Sequence, residues 1–315
     1  MQWGQIKTLF ILCFLILDIF LLQQFINNQD TVSVLPELEF EDNLQGNIEG
    51  LDNIPEEPAE APMLHAQRKE LSEEDLDAIN ELPNQDTIVL DNHMIVSRLN
   101  EQAAFNTDNV GESITDNVWN ADNYDLENYA YDQKTNTYIF FQKLDQPIFF
   151  NISGTLMVHV NEAGNMAYYV QTILEKAEEQ PEEEYSLANP TQVIADLYRR
   201  GNIESGSTIS NMEFGYFNLL QLPNGVQVLP PTWGVEVNDS DYYYANAVEG
   251  HISTRNENDF VMDMKEDIQD FVLNDTGAIQ SLDSDWEEDS IIRFLNQLLE
   301  NMELTDGVNK NDVSV

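Results

Sequence analysis

Eighteen consecutive residues near the start of the chain, Leu9 to Ile26, read LFILCFLILDIFLLQQFI and hold neither proline nor glycine. As a helix rising about 1.5 Å per residue, the run spans roughly 27 Å, close to the hydrocarbon thickness of a bilayer. Lys7 and the N-terminal amine precede it, and the next basic residue is Arg68, beyond a series of carboxylates. Basic residues mark the cytoplasmic side. The expectation is a cytoplasmic tail over 1–7, a single-pass transmembrane anchor over 8–26 with Trp3 at the inner interface, and the bulk of the chain outside the cell membrane. A cleaved signal peptide needs small residues after its apolar core. Here QQFINNQD follows, with no Ala-x-Ala pattern, and Phe10-Ile11-Leu12 before Cys13 is no lipoprotein signal.

Asp18 interrupts this run. A carboxylate at mid-membrane costs about 2.5–3.5 kcal/mol on insertion scales and usually meets a partner or a polar cavity. A lone helix has no cavity, so the expectation is contact with another protein's helix; rescue by tilt or local water is the bland alternative. Phe14, Leu15, Leu21 and Leu22 share the face of Asp18 at helical spacing and complete the expected partner contact.

The 58 acidic side chains outnumber the 13 basic ones, for a formal net charge of −45. That balance repels nucleic acid, which is excluded as a partner, and otherwise reads as solubility. Cys13 is the one cysteine and lies inside the apolar run, so no intramolecular disulfide can form. Hydrophobic residues make up 42% of the chain, enough for a packed core.

Residues 27–70 read as an acidic linker, rich in Glu, Asp, Asn and Pro without a sustained period. Residues 71–265 read as the outer domain, with a subdivision near 150 left open, and 266–315 as an acidic tail. In the domain a helix starts after Ser72, and Asp86 to Leu90 is a short strand. Tyr138 to Phe141 and Ile148 to Phe150 are strands on either side of a turn containing Pro147. Thr155 to Val160 and Met166 to Leu174 form a hairpin. A helix over Pro190 to Arg200 is capped by Asn189, stopped by Gly201, and buries Val193, Ile194, Leu197 and Tyr198. Three strands follow around Met212–Tyr216, Trp233–Val237 and Tyr242–Ala247, linked as antiparallel neighbours through Asn224-Gly225 and Asn238 to Ser240. The expected fold class is α+β, antiparallel sheets with packed helices, beside the one membrane helix. In the tail, Ser284 to Met302 is an amphipathic helix with Ile291, Phe294, Leu295, Leu298, Leu299 and Met302 on its stripe. It either docks on its own domain or serves a partner.

No phosphate loop, nucleophile elbow or dinucleotide fingerprint is present. His65, His93, His159 and His251 are scattered, without ligand spacing. No catalytic residue, metal or cofactor is expected, and no enzyme. The remaining candidate is aromatic: Trp233, Tyr242, Tyr243 and Tyr244 straddle both sheet faces, so part of that set is expected to form an outer interaction surface.

The opening MQWGQIKTLFILCFLILDIFLLQQF, with Trp3, Lys7, Thr8 and Asp18, resembles the start of the YycI proteins of Gram-positive bacteria. Tyr138 to Phe141, the hairpin ending Tyr168-Tyr169-Val170-Gln171-Thr172, the helix before Gly201, and Pro231-Thr232-Trp233-Gly234-Val235 followed by YYYANAVEG are similar too. The resemblance implies an accessory regulator of the YycG/YycF (WalK/WalR) two-component system, which governs cell-wall metabolism. It also implies contact with the sensor histidine kinase and with a YycH-like protein through the membrane, and no catalytic residues. A homodimer is left open. The alternative reading is an extracytoplasmic binding module for a cell-envelope ligand.

Overall fold

The computed structural model describes residues 7, 10–15, 17–19, 44–56, 58–107, 109–219, 225–274, 276–282, 286 and 288–302. They fall into two units, Met1–Ile48 and Glu49–Val315. In the first, residues 10–15, 17–19 and 44–47 are helical.

The second unit opens with β1 (Glu60–Pro62), β2 (Leu64–Arg68), α1 (Glu73–Asn80), β3 (Gln85–Leu90), β4 (Met94–Ala104) and α2 (Val110–Thr115). Next come β5 (Tyr124–Asp132), β6 (Thr137–Leu144), β7 (Gln146–Ile148), β8 (Thr155–Val160), β9 (Asn165–Thr172), β10 (Leu174–Lys176) and β11 (Glu184–Ser186). Then α3 (Pro190–Arg199) leads to β12 (Ile209–Tyr216), β13 (Gln227–Leu229), β14 (Pro231–Val237), β15 (Asp241–Asn246) and β16 (Ile252–Thr254). Last are α4 (Glu257–Asn274), β17 (Ile279–Ser281) and α5 (Glu288–Asn301).

Among the described residues twelve strands form one sheet, ordered β16-β15-β14-β12-β7-β6-β8-β9-β4-β3-β17, with β5 added beside β6. Among the described strand pairs of this sheet only β7–β12 is parallel. The sheet forks at β6, whose first half pairs with β5 while Gln142 to Leu144 pair with β7.

The apolar runs of β3, β4, β8 and β9 are continuous because both faces of this part of the sheet are covered. Side chains alternate along a strand, so each strand feeds two cores. Ile88, Leu90, Met94, Val96, Met157 and Val170 meet Phe260, Met264 and Ile268 of α4 and Phe294, Leu295 and Leu298 of α5. Val89, Ile95, Leu156, Val158 and Tyr169 face the other way, against Ile79 of α1 and Val110 and Ile114 of α2. The result is three layers, helix–sheet–helix.

The helix ends follow their sequence signals. The Ser72 hydroxyl accepts from Asp75 N and the Asp75 carboxylate accepts from Ser72 N, a reciprocal cap at the start of α1. Asn189 Oδ1 accepts from Thr191 N ahead of Pro190, and Gly201, at φ 75°, ends α3. In α3, Val193, Ile194, Ala195 and Leu197 are buried and Tyr198 is half-buried.

Several expectations change. The linker expected over 27–70 is threaded into sheets in its described final part: β1 pairs with β11, and β2 sits between β10 and β13. Leu64 and Ala66 are buried with Leu174, Tyr216 and Leu229, which supplies the driving force that an acidic composition alone conceals. The strand expected over Ile148 to Phe150 ends at Ile148 and begins at Gln146, so Pro147 lies inside it. Phe150 turns at φ 43°, a conformation strained for an aromatic residue and held by contacts with Phe141, Tyr244 and Phe260. The boundary at 265 cuts through α4, which sequence reading missed. The strand expected over Met166 to Leu174 breaks at Ile173, where the chain leaves for β10 and the smaller sheet. The tail helix docks on its own domain through Phe294, Leu295, Leu298, Leu299 and Met302. Ser284, the expected cap of that helix, and Asn224, of the expected Asn-Gly turn, lie outside the described residues.

Candidate functional site

Of the expected partner contact in the membrane segment, Leu21 and Leu22 lie outside the described residues. Phe14, Leu15 and Asp18 are helical and exposed, Phe14 by 61%. Phe10, Ile11, Leu12, Leu17 and Ile19 are exposed as well. No helix among the described residues is long and apolar enough to cross a membrane.

The expected outer surface divides. Trp233 is 0% exposed and Tyr244 3%, so neither presents a surface. The reason is that β14 is an interior strand, flanked by β12 and β15 and covered on both faces. Trp233 faces the α3 side, where its indole Nε1 donates to Ala188 O at 3.0 Å and its ring meets Phe214 edge-on. Tyr244 faces the other side and packs on Phe149, Phe150 and Phe217. Two glycines make that packing possible. A Cβ on Gly215 would lie 2.5 Å from Pro147 O and 2.6 Å from the Phe149 ring, and one on Gly234 3.1 Å from the same ring. Tyr243 is half-buried and donates to Asn202 O beyond α3.

Tyr242 is the member of the set that reaches a site. A cavity of about 230 Å³ opens at the fork, between β5 on one side and β12, β14 and β15 on the other. Glu127, Tyr129, Glu213, Glu236 and Tyr242 line it, with the amides of Asn128 and Asn211. Strand register brings them together: Glu236 pairs with Tyr242 and Glu213 with Gly234, so all four share one face. The Tyr242 hydroxyl donates to Glu236 Oε1 at 2.9 Å. Burial, reinforced by that carboxylate, pushes the Tyr242 phenol above its ordinary value and keeps it a donor.

Glu213 is the unusual group. Burial first, then repulsion from Asp125 and Glu236, pushes its carboxyl up to about 7, against the pull of Lys143. Asp125 itself is held below the ordinary carboxylate range: burial works against it, but hydrogen bonds from Lys143 and Asn128 outweigh that. Lys143 Nζ lies 2.7 Å from Asp125 Oδ2. The cleft therefore carries several carboxylates beside one ammonium, with one carboxyl that exchanges its proton near neutrality. Such a lining suits a cationic group or a proton. Among the described residues no group of three or more His, Cys, Asp or Glu side chains is arranged to hold a metal ion.

Sequence reading missed Glu213, Glu236, Asp125 and Lys143. The signal present was strand alternation, which set Glu213 and Glu236 opposite the buried faces of their strands. Nothing local announced that β5 stands across from them.

Residues 23–248 match the family model described as YycI protein. No curated protein matches the chain. The matched stretch takes in the forked sheet through β15, with β5, β12, β14 and the whole acidic cleft, and covers more than two thirds of the sequence. The chain belongs to the YycI family, accessory regulators of the YycG/YycF two-component system.

Proposed function

We propose that the chain is a single-pass membrane protein with its outer domain in the extracytoplasmic space. There it regulates a YycG-like (WalK-like) sensor histidine kinase of cell-wall metabolism without catalysing a reaction. The anchor packs against the kinase's spanning helices through Phe14, Leu15, Asp18, Leu21 and Leu22, together with a YycH-like protein. A regulator of this kind shifts the kinase only by binding one signalling state better than the other. The observation that carries the reading is the exposed apolar helix around Asp18 in a YycI-family chain: its side chains need a lipid or protein environment, and its carboxylate needs a partner. Photocrosslinking in native membranes, with the probe at Phe14, Leu15, Leu21 or Leu22 in turn, tests it. Crosslinks to the kinase or to a sister single-pass protein on the Asp18 face are expected. Absence of crosslinks on every face, with unchanged kinase output in Asp18→Leu, reduces the helix to a tether.

A second reading concerns the outer domain. The acidic cleft around Tyr242 favours an envelope ligand bearing a cationic group, and Glu213 supports it because a carboxyl exchanging near neutrality can respond to such a charge. Titration of the full-length chain with a lysine-containing peptide is expected to give saturable binding that Glu236→Gln weakens. Equal binding by the variant removes this reading.

A further inference from the structure

A second cavity, of about 260 Å³, lies between β4, the β8–β9 hairpin and α5. A break in the sheet produces it. Arg98 of β4 pairs with Tyr168 of β9, but the next pair is Ala103 with Met166. Between them β4 leaves β9 and follows β3: Leu99 pairs with Gln85, and Asn100 N donates to Asn84 O at 2.8 Å. The C-terminal half of α5 closes the gap from above with Phe294, Gln297 and Asn301.

Three properties of this cavity point to a ligand. First, Tyr168 lines it, is 7% exposed, and its hydroxyl has no hydrogen-bond partner among the described residues. A buried hydroxyl without a partner is uncommon and calls for a specific explanation. The ring lies flat against His159, 4.5 Å between centroids. Burial keeps the phenol protonated, hence a donor.

Second, the wall is amide-rich. Asn165, Gln297 and Asn301 line it, and their side chains make no hydrogen bond to other described residues. Each amide both donates and accepts. Third, none of the described residues lining the cavity is a carboxylate, in a chain with 58 of them. The one charged residue of the described lining, Arg98, is already paired with Asp86 at 2.6 Å and covered by the rings of Trp286 and Phe294. The described lining therefore offers a cation no carboxylate. At about 260 Å³ the cavity is smaller than the roughly 300–1,000 Å³ typical of drug-sized ligands.

We infer that this cavity binds a small uncharged molecule rich in hydroxyl and amide groups, of the N-acylated amino-sugar class, with the Tyr168 hydroxyl donating to it. The site depends on neither the membrane contact nor the acidic cleft. Its roof, α5, lies beyond residue 248, outside the stretch that matches the family model. A bound ligand ties α5 to the sheet.

The test is ligand-observed NMR titration of the full-length chain in detergent with N-acetylglucosamine. Glucosamine, which replaces the amide by an ammonium, is run beside it. Saturable binding of N-acetylglucosamine with Kd on the order of 1 mM is expected. Tyr168→Phe, which removes one oxygen and keeps the ring, is expected to weaken it about tenfold. Asn301→Ala, on the rim, weakens it about threefold and serves if Tyr168→Phe fails to fold. Absence of saturation, binding indifferent to both variants, or glucosamine binding as tightly as its acetylated form each overturns the proposal.

Discussion

The Tyr242 hydroxyl donates to Glu236 Oε1 at 2.9 Å, between directly paired residues of β14 and β15. The bond ties the floor of the acidic cleft to its rim and leaves Glu213, one strand away, to bear the repulsion of Glu236 and Asp125.

Glu213 makes stability depend on pH in a defined direction. In the unfolded chain it loses its proton near 4.5, and in the fold near 7. Its contribution is fully present below the lower value and is lost as pH rises through the window between them, about 3 kcal/mol by pH 8. Glu213→Gln is expected to gain most of that at pH 8 and little at pH 4.5. Urea unfolding of both proteins at the two pH values measures it; an equal difference at both refutes the assignment.

Lys143 compensates Asp125, whose side chain is 4% exposed. Lys143→Met leaves that carboxylate supported by Asn128 and backbone amides alone, at an expected cost of about 2 kcal/mol. It also removes the cation that restrains Glu213. The Glu213 carboxyl resonance in a pH titration by NMR is therefore expected to move to still higher pH, and an unmoved resonance contradicts the cleft electrostatics.

Two glycines separate close packing from local preference. Gly215→Ala drives a methyl into Pro147 O and the Phe149 ring and is expected to cost about 1–3 kcal/mol or more. Gly111→Ala, in α2, meets only ordinary contact at 3.7 Å from Leu126 and is expected to stabilise by about 0.5–1 kcal/mol. Thermal unfolding of the pair reads the contrast directly.

Leu295 of α5 is fully buried against the sheet. Leu295→Ala is expected to cost about 2–5 kcal/mol and to lower the urea midpoint of the whole outer domain. If α5 instead served only a partner, the variant would unfold like the parent.

Much of the fold was legible locally. The strand at Tyr138–Phe141, the Thr155–Val160 hairpin arm, the cap at Ser72, and the Asn189-Pro190 start and Gly201 stop of α3 each declare themselves within about ten residues. The α5 stripe did too, and α+β followed from them. In α4, by contrast, acidic residues are scattered among the apolar ones, and the helix is recognisable by what Phe260, Met264 and Ile268 pack against. The short strands β1, β2, β10, β11 and β13 pair with partners far along the chain, which no local pattern encodes.

The same division separates the sites. Residue order alone determined the apolar N-terminal run with its single carboxylate, and it determined which residues alternate on each strand. Whether a face is covered is decided elsewhere in the chain. Trp233 and Tyr244 looked available until Phe214 and the chain ahead of α3 met the one and the Phe149–Phe150 turn the other, whereas Glu213 and Tyr242 became a site because residues of β5 stand across a cleft from them. Periodicity is a property of neighbours in sequence; burial and electrostatic environment belong to neighbours in space, and only the tertiary structure brings those together.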